Sequence, residues 1–257
     1  MKPMDKQDKI RRENRRKLPG FLLLIVMGGV LGITIGVFSN WLNEAVAPDT
    51  LARQITLALG FASPAFSLLC IPFLAIAFWH LHRSRQLFSL WDGDDERLPD
   101  QIEHRLNWAM LWINVSQFLV FLGLGLDLSL MPLGAISYAS AFTILILSMA
   151  ALFFCITLQR QVVDLSRRMN PEKQGSVYDV KFRKKWYDSC DEAERRRIGE
   201  AAYTAYIVVS YTSVLLWVIT ALLNIFIPVG PLPMVVAILP WGIGQLTYLI
   251  HSIRAGK

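Results

Sequence analysis

The chain has 257 residues, of which 54% are hydrophobic, and its mean hydropathy is +0.40. These values exceed those of a soluble domain, in which apolar residues alternate with charged ones at the period of a helix or a strand. The net charge of +6 could suggest nucleic-acid binding. The distribution of that charge along the chain instead follows a membrane topology, and no nucleic-acid partner is predicted.

The hydrophobic residues lie in long blocks that contain no Asp, Glu, Lys, Arg or His. The blocks are 18–43, 54–79, 106–126, 128–159 and 201–250. A helix needs about 20 residues to cross a hydrocarbon core of roughly 30 Å, so each block holds one crossing, and the last holds two. The sequence therefore predicts an all-α, polytopic integral membrane protein with six transmembrane helices. The predicted spans are 20–41, 55–79, 106–127, 137–158, 202–226 and 233–251.

The basic residues fall almost entirely on one side of this topology. Of the 26 Lys and Arg residues, only Arg53 lies in a segment assigned to the outside when both termini are cytoplasmic. Cytoplasmic loops carry such an excess of Lys and Arg in membrane proteins. We therefore predict cytoplasmic N- and C-termini, a basic cytosolic arm at 1–17, and a single membrane domain at 18–257. Its cytosolic loops are 80–105 and 159–200.

The longer loop is predicted to extend the helices on either side of it. An apolar stripe at 4-3-4 spacing carries the helix of span 4 into the cytosol, and it consists of Leu158, Val162, Leu165 and Met169. Asn170-Pro171 ends that helix, because a residue before proline disfavours helical geometry.

Span 5 is predicted to begin well before the membrane. Ser189 and Glu192 have the spacing of a capping box, and one helix is expected from about 191 to 226. Such a helix is roughly 54 Å long, which exceeds the membrane core. Spans 4 and 5 are therefore expected to form an antiparallel cytosolic stalk, tipped by residues 171–188.

Span 1 carries glycines at four-residue spacing, Gly28, Gly32 and Gly36. This pattern lets a second helix approach closely. We interpret it as helix packing inside the monomer, with a homodimer seam as the alternative.

Polar side chains repeat at helical spacing within two of the spans. The predicted polar seam consists of Ser210, Ser213, Thr220 and Asn224 in span 5, with Asn114 and Gln117 in span 3. Polar groups in lipid need partners, so these faces should point into the helix bundle. The pattern favours hydrogen bonds between helices, and a substrate cavity is the alternative.

No catalytic motif is present in the sequence. It lacks a His-Glu-x-x-His helix and a P-loop, and it offers no paired carboxylates within the spans. The histidines, His80, His82, His104 and His251, could form a metal site with the acidic residues at 92–96. Their spacing fits no strong ligand signature, so no metal, cofactor or catalytic residue is predicted.

The charged and aromatic residues near the end of the long loop are the candidate docking surface for a partner. They are Trp186, Tyr187, Asp191, Glu192 and Glu194. A solvated charged face is the alternative interpretation of the acidic members.

Residues 170–194, NPEKQGSVYDVKFRKKWYDSCDEAE, resemble domain-of-unknown-function family 3169, a firmicute family of multi-pass membrane proteins. The acidic stretch before span 3 and the chain length are similar too. Some members are labelled ABC transporter permeases. The resemblance implies a bacterial plasma-membrane protein and supplies no catalytic residue.

The function expected from these observations is that of a non-enzymatic plasma-membrane protein that acts through a partner at its cytosolic stalk. The expected partners are the lipid bilayer and a cytosolic or membrane protein. The first alternative is the permease subunit of an ABC-type transporter that works with a separate ATPase. The second alternative is a membrane-embedded enzyme.

Overall fold

A computed structural model describes residues 6–43, 57–58, 63–92, 97–130, 137–226 and 232–255. The seven helices in it are α1 (Lys6–Asn43), α2 (Ser63–Leu90), α3 (Arg97–Leu130), α4 (Tyr138–Met169), α5 (Phe182–Asp188), α6 (Glu192–Phe226) and α7 (Leu232–Ala255). No strand occurs in the described residues. The predicted all-α class is confirmed for this part of the chain.

Four helical segments among the described residues are long and apolar enough to cross a membrane. They are Arg97–Leu128, Ala139–Met169, Glu192–Leu223 and Leu232–Arg254. They coincide with predicted spans 3 to 6, so the membrane character of the chain agrees with the sequence. Predicted span 1 lies within α1, although many of its side chains lie outside the described residues, and predicted span 2 falls partly outside the described ranges. The count of six spans and the cytoplasmic termini stay predictions.

Helices α2, α3 and α4 pack around one core, and each contributes a stripe at alternating three- and four-residue spacing. The stripes are Cys70, Leu74, Ala77 and Leu81 in α2; Ile102, Leu106, Ala109, Ile113 and Val120 in α3; and Cys155, Leu158, Val162 and Leu165 in α4. Small residues such as Ala77 and Ala109 let neighbouring backbones approach closely. The hydroxyl of Ser116, fully buried, reaches across to the Cys70 carbonyl oxygen at 3.3 Å.

The C-terminal end of α4 follows the sequence prediction. Leu158, Val162 and Leu165 are buried, and Met169 packs against the same core. The helix ends at Met169, and Asn170 has the extended backbone expected before a proline, with φ of −118° and ψ of 96°. The stripe therefore holds the extended end of α4 in the three-helix core.

The start of α6 corrects one prediction. The capping box is formed by Asp191 and Glu194, not by Ser189 and Glu192: Glu194 N–H donates to Asp191 Oδ1 at 2.7 Å, and Asp191 N–H donates to Glu194 Oε2 at 3.2 Å. Ser189 is unavailable for capping, because its hydroxyl accepts from the N–H of Gln174 and donates to the carbonyl of Trp186.

The described chain divides between Cys190 and Asp191 into two compact units, α1–α5 and α6–α7. Helices α6 and α7 pack on each other through the stacked rings of Tyr206 and Tyr248, whose centroids are 5.9 Å apart. Gly244 permits this approach, because an added Cβ would lie 3.3 Å from the Tyr206 ring. Since α4 and α6 belong to different units, the antiparallel stalk stays a prediction, as does the single membrane domain.

Candidate functional site

The most polar buried region of the described structure lies where the basic arm meets the end of α4. We call it the arm junction. Residues 170–181, which join α4 to α5, form the connecting segment. The arm junction consists of Glu13, Asn14 and Lys17 from α1, Asp164 and Arg167 from α4, Ser176 and Asp179 from the connecting segment, and Lys185 from α5. These residues join three stretches of chain that are distant in sequence.

Asn14 is the central bridge of the arm junction. Its side-chain nitrogen donates to both carboxylate oxygens of Asp164, at 3.0 and 3.2 Å, and its side-chain oxygen accepts from the hydroxyl of Ser176. Asn14 is 7% exposed and Ser176 is fully buried. Buried polar groups are costly unless they are paired, so these three side chains specify one docked position of the arm.

Two further contacts fasten the arm beside this bridge. Arg167, which is buried, donates from Nη2 to Glu13 Oε2 at 2.7 Å. The rings of Phe21 and Tyr178 meet with centroids 5.3 Å apart. An ion pair with one buried partner is costly to break, because the remaining charge loses its compensation. The arm is therefore a packed part of the first unit along Glu13–Phe21.

Asp179 has the most strongly perturbed carboxylate among the described residues between α4 and α6. Its side chain is 8% exposed, and its Oδ2 lies 2.7 Å from Lys185 Nζ and 3.4 Å from Lys17 Nζ. Its Oδ1 accepts from the N–H of Lys181 at 3.0 Å. The hydrogen bond from Lys185, followed by the one from Lys181 N–H, lowers the pKa of Asp179 to about 2. The same pair raises the pKa of Lys185.

Gly175 allows the connecting segment to turn back towards the arm. Its φ of +116° is a conformation that side chains disfavour, and an added Cβ would lie 3.0 Å from the Phe182 ring and 3.4 Å from the Phe182 carbonyl oxygen. Glycine is required here by both its backbone and its surroundings. The turn places Ser176 against Asn14.

A second set of contacts ties the connecting segment to α5 and the residues after it. It involves Lys173, Trp186 and Cys190. Lys173 is 7% exposed; its ammonium lies 3.3 Å from Cys190 Sγ and 5.5 Å from the centre of the Trp186 ring. The Phe182 ring also packs on the Trp186 ring, and the two ring centroids are 5.7 Å apart. A cation over an indole ring is attracted by the ring's negative face. These contacts fix the position of α5.

The structure assigns different surroundings to the predicted docking residues. Trp186 is half-buried beneath Lys173, whereas Tyr187 is 43% exposed. The side-chain carboxylates of Asp191 and Glu194 each accept a hydrogen bond from the other residue's backbone N–H at the start of α6, and Glu192 is exposed there. The first two residues belong to one unit and the three acidic residues to the other. Partner docking at these residues stays a prediction.

The residues of the predicted polar seam also lie in several different environments. Gln159 Nε2 donates to Gln117 Oε1 at 3.0 Å, which links α4 to α3. Asn114 is exposed and donates to the Met110 carbonyl of its own helix.

In α6, the seam residues share no single environment. Ser213 is buried and Ser210 is half-buried. The hydroxyl of Thr220 donates to carbonyl oxygens of its own helix. The side chain of Asn224 lies outside the described residues, as do the surroundings of Gly28, Gly32 and Gly36 in α1. The seam and the glycine packing stay predictions.

No group of three potential metal ligands from His, Cys, Asp or Glu occurs in the part of the chain that the structure describes. His104 is engaged instead by Trp108, whose Nε1 donates to His104 Nε2 at 3.0 Å. Of the acidic residues that the sequence places near these histidines, Asp94, Asp95 and Glu96 lie outside the described ranges.

Sequence reasoning did not identify the arm junction. Asn14 and Asp164 are 150 residues apart, and neither belongs to a periodic pattern or a motif. The one usable signal was Gly175 between two polar stretches, which marks a turn that needs positive φ. Chemically, the junction can hold segments together and present α5, since its partly buried carboxylates accept hydrogen bonds from Asn, Arg and Lys donors.

A family model described as "Protein of unknown function (DUF3169)" matches residues 11–252. The match covers the arm, the connecting segment and all seven helices in whole or in part. No curated protein and no solved structure matches the chain.

Proposed function

The chain belongs to domain-of-unknown-function family 3169, and from that premise we propose a non-enzymatic, multi-pass protein of the bacterial plasma membrane that binds a partner protein at its cytosolic side. We place the contact on a docking face that consists of Val180, Lys181, Arg183, Lys184 and Tyr187. This face lies entirely within the first unit.

The observation that carries the proposal is that α5 is fixed in place although none of its residues is buried. Short helices with little apolar burial are unstable unless tertiary contacts hold them. Here Asp179 binds Lys185, and Lys173 lies over Trp186, so the anchors sit on one side of α5. A segment that is fixed by buried polar contacts and still presents its other side to solvent is suited to recognition.

The composition of the docking face indicates the chemistry of its partner. Val180 is 81% exposed and Tyr187 is 43% exposed, and the cations Lys181, Arg183 and Lys184 are exposed around them. Exposed apolar groups with a charged rim favour a protein surface of complementary charge. We therefore expect an acidic partner surface with a small apolar cleft for the Tyr187 ring.

Site-specific photo-crosslinking in native membranes tests this proposal. A benzophenone side chain at position 180 should form an adduct with a protein, and one at the exposed position 172 should form much less. Charge reversal at Lys181 and Lys184 should remove the adduct, because it abolishes the complementarity with an acidic surface. Reversal at Arg196 and Arg197, which changes the net charge equally, should leave it intact. Adducts to lipid alone, or equal yields at both positions, contradict the proposal.

A permease subunit of an ABC-type transporter is the second candidate, and the placement of α5 favours it. The helix lies between two segments that are long and apolar enough to span a membrane, Ala139–Met169 and Glu192–Leu223. Since the sequence has no P-loop, the nucleotide-hydrolysing subunit would be a separate chain. Identification of the adduct at position 180 as an ATPase favours the permease, and an adduct without nucleotide-binding motifs excludes it.

The proposed orientation can be tested with thiol labelling. The three native cysteines, Cys70, Cys155 and Cys190, are all buried. A cysteine introduced for the exposed Lys184 should react with an impermeant maleimide only in inverted membranes. Reaction in intact cells would place the docking face outside and overturn the topology.

A further inference from the structure

A second polar feature is a cleft between α2 and α4. The cleft has a volume of about 460 Å³ and is lined by Arg85, Phe88, Arg160, Gln161, Asp164 and Arg168. Three of these side chains carry a guanidinium group, and one carries a carboxylate. The cleft shares no residue with the docking face.

The guanidinium groups are concentrated rather than dispersed. Arg85 Nη2 donates to Gln161 Oε1 at 2.6 Å, which draws this cation onto α4. Desolvation, followed by the charge of Arg168, lowers the pKa of Arg85, as expected when like charges lie near each other, and both side chains stay exposed to solvent. Bringing cations together in this way costs free energy unless an anion lies among them.

The one carboxylate of the cleft does not balance these charges. Asp164 already accepts two hydrogen bonds from Asn14 in the arm junction. The Nε of Arg160 forms an ion pair with Asp164 Oδ2 at 3.5 Å, and the Arg160 side chain also hydrogen-bonds to Tyr178. Each guanidinium offers five N–H donors in a planar fork. With three guanidinium groups and one carboxylate, the cleft keeps an excess of positive charge.

The position of the cleft along the predicted spans narrows the class of anion. Span 2 is predicted to end at Trp79, and Arg85 follows about 9 Å further along α2. Span 4 is predicted to end at Leu158, about 3 Å before Arg160. The polar zone of a bilayer extends roughly 5–7 Å beyond the hydrocarbon core, and Arg168 lies about 15 Å past the predicted end of span 4. The cleft is therefore expected to reach from the level of the lipid phosphates towards the cytosol, where a headgroup or a dissolved phosphate can enter it.

We propose that this cleft binds a phosphate group through Arg85, Arg160 and Arg168. The planar fork of arginine matches phosphate oxygens in a bidentate geometry, and a dianionic group would compensate the excess positive charge. Two sources share this chemistry: the headgroup of an anionic lipid and a phosphorylated solute from the cytosol. Phe88 and Leu165 provide an apolar wall on which the remainder of either ligand can rest.

Two binding assays on the purified full chain separate these sources. In uncharged detergent, equilibrium dialysis measures binding of radiolabelled inorganic phosphate. In vesicles of phosphatidylcholine with a minor share of phosphatidylglycerol, electron spin resonance of spin-labelled phosphatidylglycerol measures the fraction of lipid held at the protein. The test variant is R85Q/R168Q. The control R196Q/R197Q removes the same net charge from exposed residues of α6, which belong neither to the cleft nor to the docking face.

The test variant should bind the recognised probe at least about tenfold more weakly, because it loses two charge-assisted partners, whereas the control should change by less than about twofold. Loss in the phosphate assay identifies a solute, and loss in the lipid assay alone identifies a headgroup. If R85Q/R168Q fails to fold, the single change R168Q at an exposed position should still weaken binding several-fold. Equal effects of test and control variants, or binding in neither assay, overturn the proposal.

Partner crosslinking at position 180 is expected in R85Q/R168Q as in the unaltered chain. The cleft and the docking face can therefore fail independently.

Discussion

The two units of this protein handle their polar side chains in different ways. In the first, Asn14, Asp164 and Ser176 meet at a buried point and join segments that are distant in sequence. In the second, the polar residues of α6 lie along one helix, and Thr220 donates its hydroxyl to that helix's own carbonyl oxygens. The contrast teaches that regular polar spacing does not by itself identify where tertiary specificity lies. An irregular set of polar residues can fix a fold more firmly than a periodic one.

The largest effect is expected at Gly175, in the turn that brings the connecting segment against the arm. Gly175→Ala should lower the free energy of unfolding of the first unit by about 2 to 3 kcal/mol, because alanine is strained at a φ of +116° and its Cβ would approach the Phe182 ring. The measurement is the thermal unfolding of the purified protein in detergent, followed by protease sensitivity within 170–190.

Gly199→Ala is the matched control for this change. An added Cβ at Gly199 meets nothing within 4 Å, and the residue lies inside α6. Alanine favours a helix over glycine by up to about 1 kcal/mol, so this variant should be unchanged or slightly more stable. Equal destabilisation by the two changes would show that the turn at Gly175 has no special role.

The next largest effect is expected at the bridge itself. Asn14→Ala should destabilise the docked arm by about 2 kcal/mol, because Asp164 and Ser176 then lose buried partners. Asn114→Ala should have a small effect, since Asn114 is exposed and bonds only to the Met110 carbonyl of its own helix among the contacts described. Protease accessibility of the arm distinguishes undocking from global unfolding. A larger effect at Asn114 would reverse the comparison between the junction and the seam.

The sequence predicted those parts of the fold that repeat. The stripe at Leu158, Val162 and Leu165 indicated both that the helix of α4 continues beyond residue 158 and which side it buries. Asn170-Pro171 indicated where it ends. These predictions succeeded because helical periodicity and proline stereochemistry are local properties of the chain.

The arm junction could not be predicted in the same way. Its hydrogen bonds join residues such as Asn14 and Asp164, and no local preference brings residues so distant together. The misassigned capping box has a related cause: Ser189 and Asp191 are both good N-cap residues, and the choice was decided by the tertiary hydrogen bond from Gln174 N–H to Ser189.

The ion pairs at Asp179 should make the junction sensitive to acid. The pKa of Asp179 is lowered to about 2 from an ordinary value of 3.8, so its contribution to stability is complete above about pH 4 and is lost as the pH falls towards 2. The loss should be smaller than that of Asn14→Ala, because Lys17 and Lys185 are about 40% exposed and are screened by solvent.

The thermal midpoint of the first unit, measured from neutral pH down to pH of about 2, tests this expectation. Asp179→Asn should lower the midpoint near neutrality and remove the part of the acid dependence that lies below pH 4. An unchanged acid profile in this variant would assign the sensitivity to other carboxylates.

The smallest effects are expected in the periodic seam of α6. Ser210→Ala and Ser213→Ala should each cost about 0.6 kcal/mol, the typical contribution of a hydrogen bond between membrane helices. Ser213 should give the larger change of the two, since it is 4% exposed and Ser210 is half-buried. Thermal unfolding in detergent measures both. If the double variant Ser210→Ala/Ser213→Ala instead keeps full stability and loses binding or transport of a solute, the seam lines a cavity. The second unit, rather than the arm junction, is then the region in which to seek the function.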